Sequence, residues 1–201
     1  MMLRRLQLAI VWGMVGLRVI LCPVFVWGAH AGWGGLWLAS IVLVALVDDI
    51  LDGVVARHWK CDTPALRVSD SIADTVFYLG VAAGLWVREP EILRSNRWLF
   101  AGLFALEGFR YVFDLWKFRK TASYHSYMAK MWGLLLAAAM VGVFALDQLK
   151  VLVPIALIWG IVVNLEGLTM SLMLPRWRND VKTLARAWQL RQEMLRESMG
   201  R

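Results

Sequence analysis

The sequence predicts an all-α, polytopic membrane protein of six transmembrane helices, followed by a C-terminal amphipathic helix on the membrane surface. Three observations carry that reading. The chain of 201 residues is 60% hydrophobic with a mean hydropathy of +0.58, too apolar for a soluble domain. Six apolar runs recur along it, each long enough to cross a bilayer with modest tilt, and the third is near the minimum of about 17 residues. The connections between runs are short, and together with the two ends of the chain they carry nearly all of the basic residues. The runs lack the period-two alternation of a membrane barrel, and lipid admits only helices or closed barrels. The length suits one integral-membrane domain over residues 1–201, with residues 176–201 as a cytoplasmic tail.

The first run, Leu6 to Gly28, follows a short basic terminus and is interrupted by Arg18 and Pro23. Ala29-His30-Ala31 has the look of a signal-peptidase site, but Arg18 lies inside what a signal peptide keeps apolar, which argues against cleavage. The second run spans about Leu36 to Ala56 and ends in a group of acids. A basic loop, Arg57 to Val68, leads to the third, which opens on Asp70 and Asp74 and continues to Val87. Arg88 to Arg97 reads as a mixed-charge loop. The fourth run, about Trp98 to Trp116, holds Glu107, Arg110 and Asp114. The fifth, about Tyr124 to Leu146, has His125 and Lys130 in its first turns. The sixth, Val151 to Leu174, contains Asn164 and Glu166. In the tail, Val181, Leu184, Ala185, Trp188 and Leu195 recur at helical spacing among Arg and Lys. That pattern fits a helix lying on the membrane and equally a solvated one. Trp33, Trp37, Trp98, Trp116, Trp132 and Trp177 sit near run ends and read as interfacial anchors.

The net charge is +7, and its placement sets the orientation. With the N-terminus in the cytoplasm, the cytoplasmic segments hold fifteen Lys and Arg against four outside, with Arg18, Arg110 and Lys130 inside the runs. Anionic lipid head groups, not nucleic acid, are the expected partner of this basic surface. Cys22 and Cys61 have no metal-site spacing and no expected disulfide.

The acids are the informative part. Asp49 and Asp52 are three apart and Asp70 and Asp74 four apart, so each pair shares a helix face. Thr63-Pro64 between them breaks the chain and allows it to reverse. Two antiparallel helices then bring four carboxylates together at the edge of the bilayer. Like charges that close repel unless protonated or bridged by cations. Oxygen donors of this kind suit Mg²⁺ first and Mn²⁺ next. Asp48, next to Asp49, points to another helix face and is expected to be solvated or to stand behind the cluster. Two solvated helix ends would be the bland alternative, but charged groups in such runs are costly and seldom cluster without a function.

Asp49-x2-Asp52-Gly53-x2-Ala56-Arg57, eight residues, Leu66, then Asp70-x3-Asp74 resembles the signature of the CDP-alcohol phosphatidyltransferases. The one departure is Leu66, where the family has glycine. Arg18 followed by Pro23 and an apolar run is similar to the family's first span, although Trp12 and Val15 stand where the family often has Asn and Thr. The resemblance implies an enzyme of phospholipid synthesis that transfers a phosphatidyl group from CDP-diacylglycerol to a polar alcohol with release of CMP. It implies Asp49, Asp52, Asp70 and Asp74 as ligands of two Mg²⁺ or Mn²⁺ ions, with Asp74 also the catalytic base. Asp52, Gly53, Ala56, Arg57 and Leu66 fall at the nucleotide-binding positions. Gly53 leaves room beside the backbone, and Arg57 offers a fork of donors to the diphosphate.

For the acceptor, Arg110 and Lys130 are candidate ligands of a phosphorylated alcohol such as glycerol phosphate. The alternative for Arg110 is an internal pair with Glu107 or Asp114. The family also implies a homodimer; the basic loops set the active site on the cytoplasmic side, in what is expected to be a bacterial inner membrane. Leu66 motivates a second reading: a catalytically impaired metal- and lipid-binding protein of the same fold. A small transporter is the third, and the absence of an internal repeat argues against it.

Overall fold

A computed structural model describes residues 2–146 and 148–199. The described residues are helical apart from short turns, with no strand among them. The helices are α1 (Met2–His30), α2 (Gly35–His58), α3 (Pro64–Arg88), α4 (Pro90–Ser95), α5 (Arg97–Phe118), α6 (Tyr127–Phe144), α7 (Leu152–Met173) and α8 (Leu184–Met199). Three of them, α1, α6 and α7, are long and apolar enough to cross a membrane. The six apolar runs lie in six long helices, and α2, α3 and α5 carry the acids and other charged residues that set them apart from these three.

Boundaries shift for identifiable reasons. α1 continues through both Arg18 and Pro23. Pro23 removes one backbone donor, and its side chain is exposed, so the ring meets no packed neighbour inside the bundle. α3 begins six residues ahead of Asp70 because Thr63 caps it: its Oγ1 accepts from the Leu66 amide at 3.2 Å, and Pro64 occupies the first helical position. Asp70 and Asp74 therefore lie in the second and third turns, not at a helix start. The expected loop from Arg57 to Val68 shrinks to the turn 59–63, in which Lys60 takes a φ of 55°.

The chain forms two compact units, and the division falls within α6 and α7. The first comprises Met1–Ser95 and Ala137–Val153. In it α1 packs against α2 and, more closely, against α3. Its inward stripe is Val11, Val15, Arg18, Phe25 and Ala29, spaced as one helix face. Arg18 is on that stripe and is fully buried. Gly80 and Gly84, one turn apart on α3, let the backbones approach. A Cβ at Gly80 would lie 2.5 Å from the Cys22 sulfur, and one at Gly84 would lie 2.5 Å from the Phe25 ring. Phe25 also meets Phe77 and Phe144 edge to face. Gly35 admits the Phe144 carbonyl, which any side chain there would strike.

The second unit comprises Asn96–Leu136 and Pro154–Arg201. Ala122, Tyr124, Met170, Leu174, Val181, Ala187 and Met194 form its buried apolar cluster, with Trp177 and Leu190 against it. The tail pattern splits in consequence. Ala187, Leu190 and Met194 turn α8 onto the protein, and Val181 is buried with them. Leu184, Trp188 and Leu195 stay exposed. Trp132 is no anchor: its ring covers Gly160. Trp37, Trp98 and Trp116 are largely exposed.

Gly84→Val forces a methyl-bearing carbon into Phe25, which has no exposure and cannot yield cheaply. The variant is expected to lose about 1–3 kcal/mol of stability, read as a lowered unfolding midpoint in detergent.

Candidate active site on α1, α2 and α3

Three helices supply the site. Asp48, Asp49 and Asp52 project from the second half of α2, Asp70 and Asp74 from the first half of α3, and Arg18 from the middle of α1. The Thr63–Pro64 cap reverses the chain tightly enough to set the α2 and α3 acids face to face. Asp49, Asp70 and Asp74 each offer a carboxylate oxygen, and these three atoms lie within 4.8 Å of one another. Arg18 engages one oxygen of every acid. Its Nη1 donates to Asp49 Oδ1 at 3.0 Å and to Asp74 Oδ1. Its Nη2 donates to Asp70 Oδ1 at 2.6 Å and to Asp52 Oδ2. Its Nε stands 3.4 Å from Asp48 Oδ2.

Exposure grades across the cluster. The Asp49 and Asp74 side chains are 42% and 34% exposed, that of Asp70 17%, and those of Asp48 and Asp52 under a tenth. The site therefore has an open mouth at Asp49 and Asp74 and a buried floor at Arg18, Asp48 and Asp52. The donor set at the mouth fits a hard divalent cation: anionic oxygens from three residues, converging from two helices, with access from outside. These residues could hold such an ion.

All four acids singled out by spacing come together with this geometry. Asp48 joins them. It is buried and faces Arg18, not solvent. The signal for it was present: Asp48 and Asp52 are four apart and share a face. Arg18 was recognisable in the sequence as a cation needing a partner, but nothing in the sequence said that α1 would deliver it to the acids.

Gly53 and Arg57 form one device. They are one turn apart, and the Arg57 guanidinium folds back over Gly53, with Nη1 3.3 Å from where a Cβ would sit. This sets the exposed Arg57 head group on the α2 surface one turn beyond the acids. Ala56 is buried on the neighbouring face. Leu66 packs against it, in a cluster with Val11, Val15 and Ala73, and with Val55 and Trp59 beside them. Arg67, next in sequence, is tied to Asp62 through Nε at 2.6 Å and through Nη2.

Arg110 and Lys130 belong to the second unit. The Arg110 side chain runs along Gly167, where a Cβ would meet its Nη1 at 2.6 Å, and its guanidinium lies 5.5 Å from the Tyr111 ring centroid. Its Nε is buried with no hydrogen-bond partner among the described residues. No ion pair among the described residues joins it to Glu107 or Asp114. Asp114 is instead held by the Ser171 hydroxyl at 2.5 Å and the Ala122 amide at 3.3 Å, and Tyr124 shares the network through Ser171 at 2.8 Å. The Lys130 side chain is exposed. Glu166 is buried and accepts from the Ser126 hydroxyl at 2.6 Å, a structural contact that holds the segment leading into α6. His125 takes a φ of 46°, and its Nε2 shares a 2.9 Å hydrogen bond with the Ser123 hydroxyl.

Asp70→Asn removes one charged donor from the mouth and is expected to weaken Mn²⁺ binding by at least about tenfold, measured by titration of the protein in detergent with the ion. Leu66→Ala empties part of a packed cluster and is expected to cost about 2–5 kcal/mol, seen in chemical unfolding.

Comparison with known proteins places these residues in a wider frame. The family model described as CDP-alcohol phosphatidyltransferase matches residues 13–189. That span includes Arg18 and both acidic helices. No curated protein and no solved structure matched the chain.

Proposed function

The chain belongs to the CDP-alcohol phosphatidyltransferase family, and from that premise we propose that it transfers a phosphatidyl group from CDP-diacylglycerol to a polar alcohol, releasing CMP. The family and the apolar helices make it an integral membrane protein of phospholipid synthesis. The observation that carries the proposal is the convergence of Asp49, Asp70 and Asp74, each with a ligand atom within 4.8 Å of the others.

In this reading the acceptor's hydroxyl oxygen attacks the phosphorus that bears the diacylglycerol. The bond from that phosphorus to the oxygen bridging to cytidine monophosphate breaks, and CMP leaves with the electron pair. The hydroxyl proton passes to the Asp74 carboxylate, which its partial exposure leaves accessible to an incoming alcohol. Two Mg²⁺ or Mn²⁺ ions held by Asp49, Asp52, Asp70 and Asp74 would supply positive charge to the diphosphate and to the entering and leaving oxygens. Arg57, folded over Gly53, offers the diphosphate paired donors. Asp52, Gly53, Ala56 and Leu66 border the nucleotide. Arg110 and Lys130 bind the phosphate of an acceptor such as glycerol phosphate; the buried, unpartnered Nε of Arg110 supports that role for it.

The protein is one domain of six spans. Basic loops set the site on the cytoplasmic side of a bacterial inner membrane, where nucleotide substrates are found. The exposed Leu184, Trp188 and Leu195 of α8, flanked by Arg186 and Arg191, support its lying on that surface. Two copies form a homodimer, each with its own site.

The test is CMP release from CDP-diacylglycerol by the protein in membranes, with Mg²⁺ or Mn²⁺ and a panel of alcohols. Release with one acceptor is expected. Asp74→Asn is expected to lower it by about 10²-fold or more with the fold retained, and folded protein that releases no CMP with any acceptor ends the proposal. A second reading is favoured by one observation. Leu66 fills the space beside Ala56 where the family has glycine. If CDP-diacylglycerol binds without turnover and Leu66→Gly does not change that, the chain is a metal- and lipid-binding protein of this fold.

A further inference from the structure

Arg18 stands apart from the other cations among the described residues. It is 1% exposed, and its three nitrogens face five carboxylates from two other helices. Its Nε is buried and makes no hydrogen bond, and neither does the Asp48 oxygen that it faces. When the five acids are ionised, the guanidinium cancels one of five negative charges in a setting where uncompensated charge is heavily penalised. Of the neighbouring cations, Arg67 is bonded to Asp62, and Arg57 lies over Gly53. A guanidinium keeps its proton under all conditions the protein meets. The site thus contains a cation that cannot dissociate, at its buried floor, while the oxygens that suit an exchangeable ion sit at its mouth.

We propose that Arg18 is the built-in cation of the carboxylate cage. It is a positioning residue that pulls Asp48, Asp49, Asp52, Asp70 and Asp74 into one cluster, ties α1 to α2 and α3 through them, and holds the cluster together without a divalent ion. The divalent ions then add charge to a cage already drawn into shape, and part of their attraction to the acids is offset by Arg18. For those ions the inference rests on the function proposed above; for the fold it stands alone.

The experiment measures thermal unfolding of the full chain in detergent, once with EDTA and once with Mn²⁺. Wild type in EDTA is expected to stay folded. Arg18→Gln in EDTA is expected to lose on the order of 10 °C in midpoint, because five acids then face each other without the guanidinium that joined them. Mn²⁺ should raise the midpoint of Arg18→Gln by more than it raises that of wild type. Arg18→Gln combined with Asp48→Asn should recover part of the loss in EDTA, since it deletes one of the repelling charges. A side chain needed for packing alone would give no such recovery.

Arg18→Lys, which keeps the charge, should fall between wild type and Arg18→Gln, and it decides the matter if Arg18→Gln does not fold. Arg18→Gln as stable as wild type in EDTA, Arg18→Lys no better than Arg18→Gln, or no recovery from Asp48→Asn would each overturn the proposal. Failure of wild type to bind Mn²⁺ would instead remove the metal from the proposed reaction, and the EDTA series would still decide the role of Arg18.

Discussion

Convergence of five carboxylates, two of them buried, on one buried guanidinium is the constraint on which this structure depends. A charge taken out of water without compensation is penalised by several kcal/mol. Three helices must therefore meet where their charged residues can neutralise each other. α1 contributes the cation, α2 three acids and α3 two, and none of these faces can be turned to lipid. The pairing fixes the rotation of each helix about its axis. It also aligns the apolar stripe of α1 with the small residues of α3, so that Gly80 and Gly84 fall opposite Cys22 and Phe25.

The same contacts serve the chemistry. A cage whose acids were free to repel would have to be assembled at every turnover. One drawn together by a fixed cation presents its oxygens already converged, and preorganised charge of this kind is the main resource of sites that stabilise phosphoryl transfer. The gradient of exposure completes the arrangement. The deep acids, Asp48 and Asp52, lie closest to full burial beside Arg18, while Asp49 and Asp74 at the mouth are the more exposed. The tight turn after α2 matters for this reason: Thr63 and Pro64 start α3 early, which carries Asp70 and Asp74 past the turn to the level of the α2 acids.

Much of the site was legible because its spacing is local. Asp49–Asp52 and Asp70–Asp74 announce shared helix faces, and Gly53 with Arg57 sits one turn apart on a single helix. The helices themselves were legible because long apolar runs without period-two alternation favour them. Of the two places expected for Asp48, in solvent or behind the cluster, the structure shows it buried and facing Arg18, on the face it shares with Asp52. The tail was half legible. Its apolar residues were visible, but their division into a stripe packed on the protein and a stripe left exposed depends on where Met170, Leu174 and Tyr124 stand.

The sequence by itself determined the class of protein, the two acidic helices, the reversal between them and the kind of ion their oxygens suit. Helical periodicity and the cost of charge in lipid act over a few residues, so they can be read from a few residues. The tertiary structure decided which long-range partner meets the acids. Arg18 is 31 residues from Asp49 and 56 from Asp74, and no local rule links them. It likewise decided the fate of Leu66, since its neighbours Val11 and Val15 come from a helix more than 50 residues earlier in the chain.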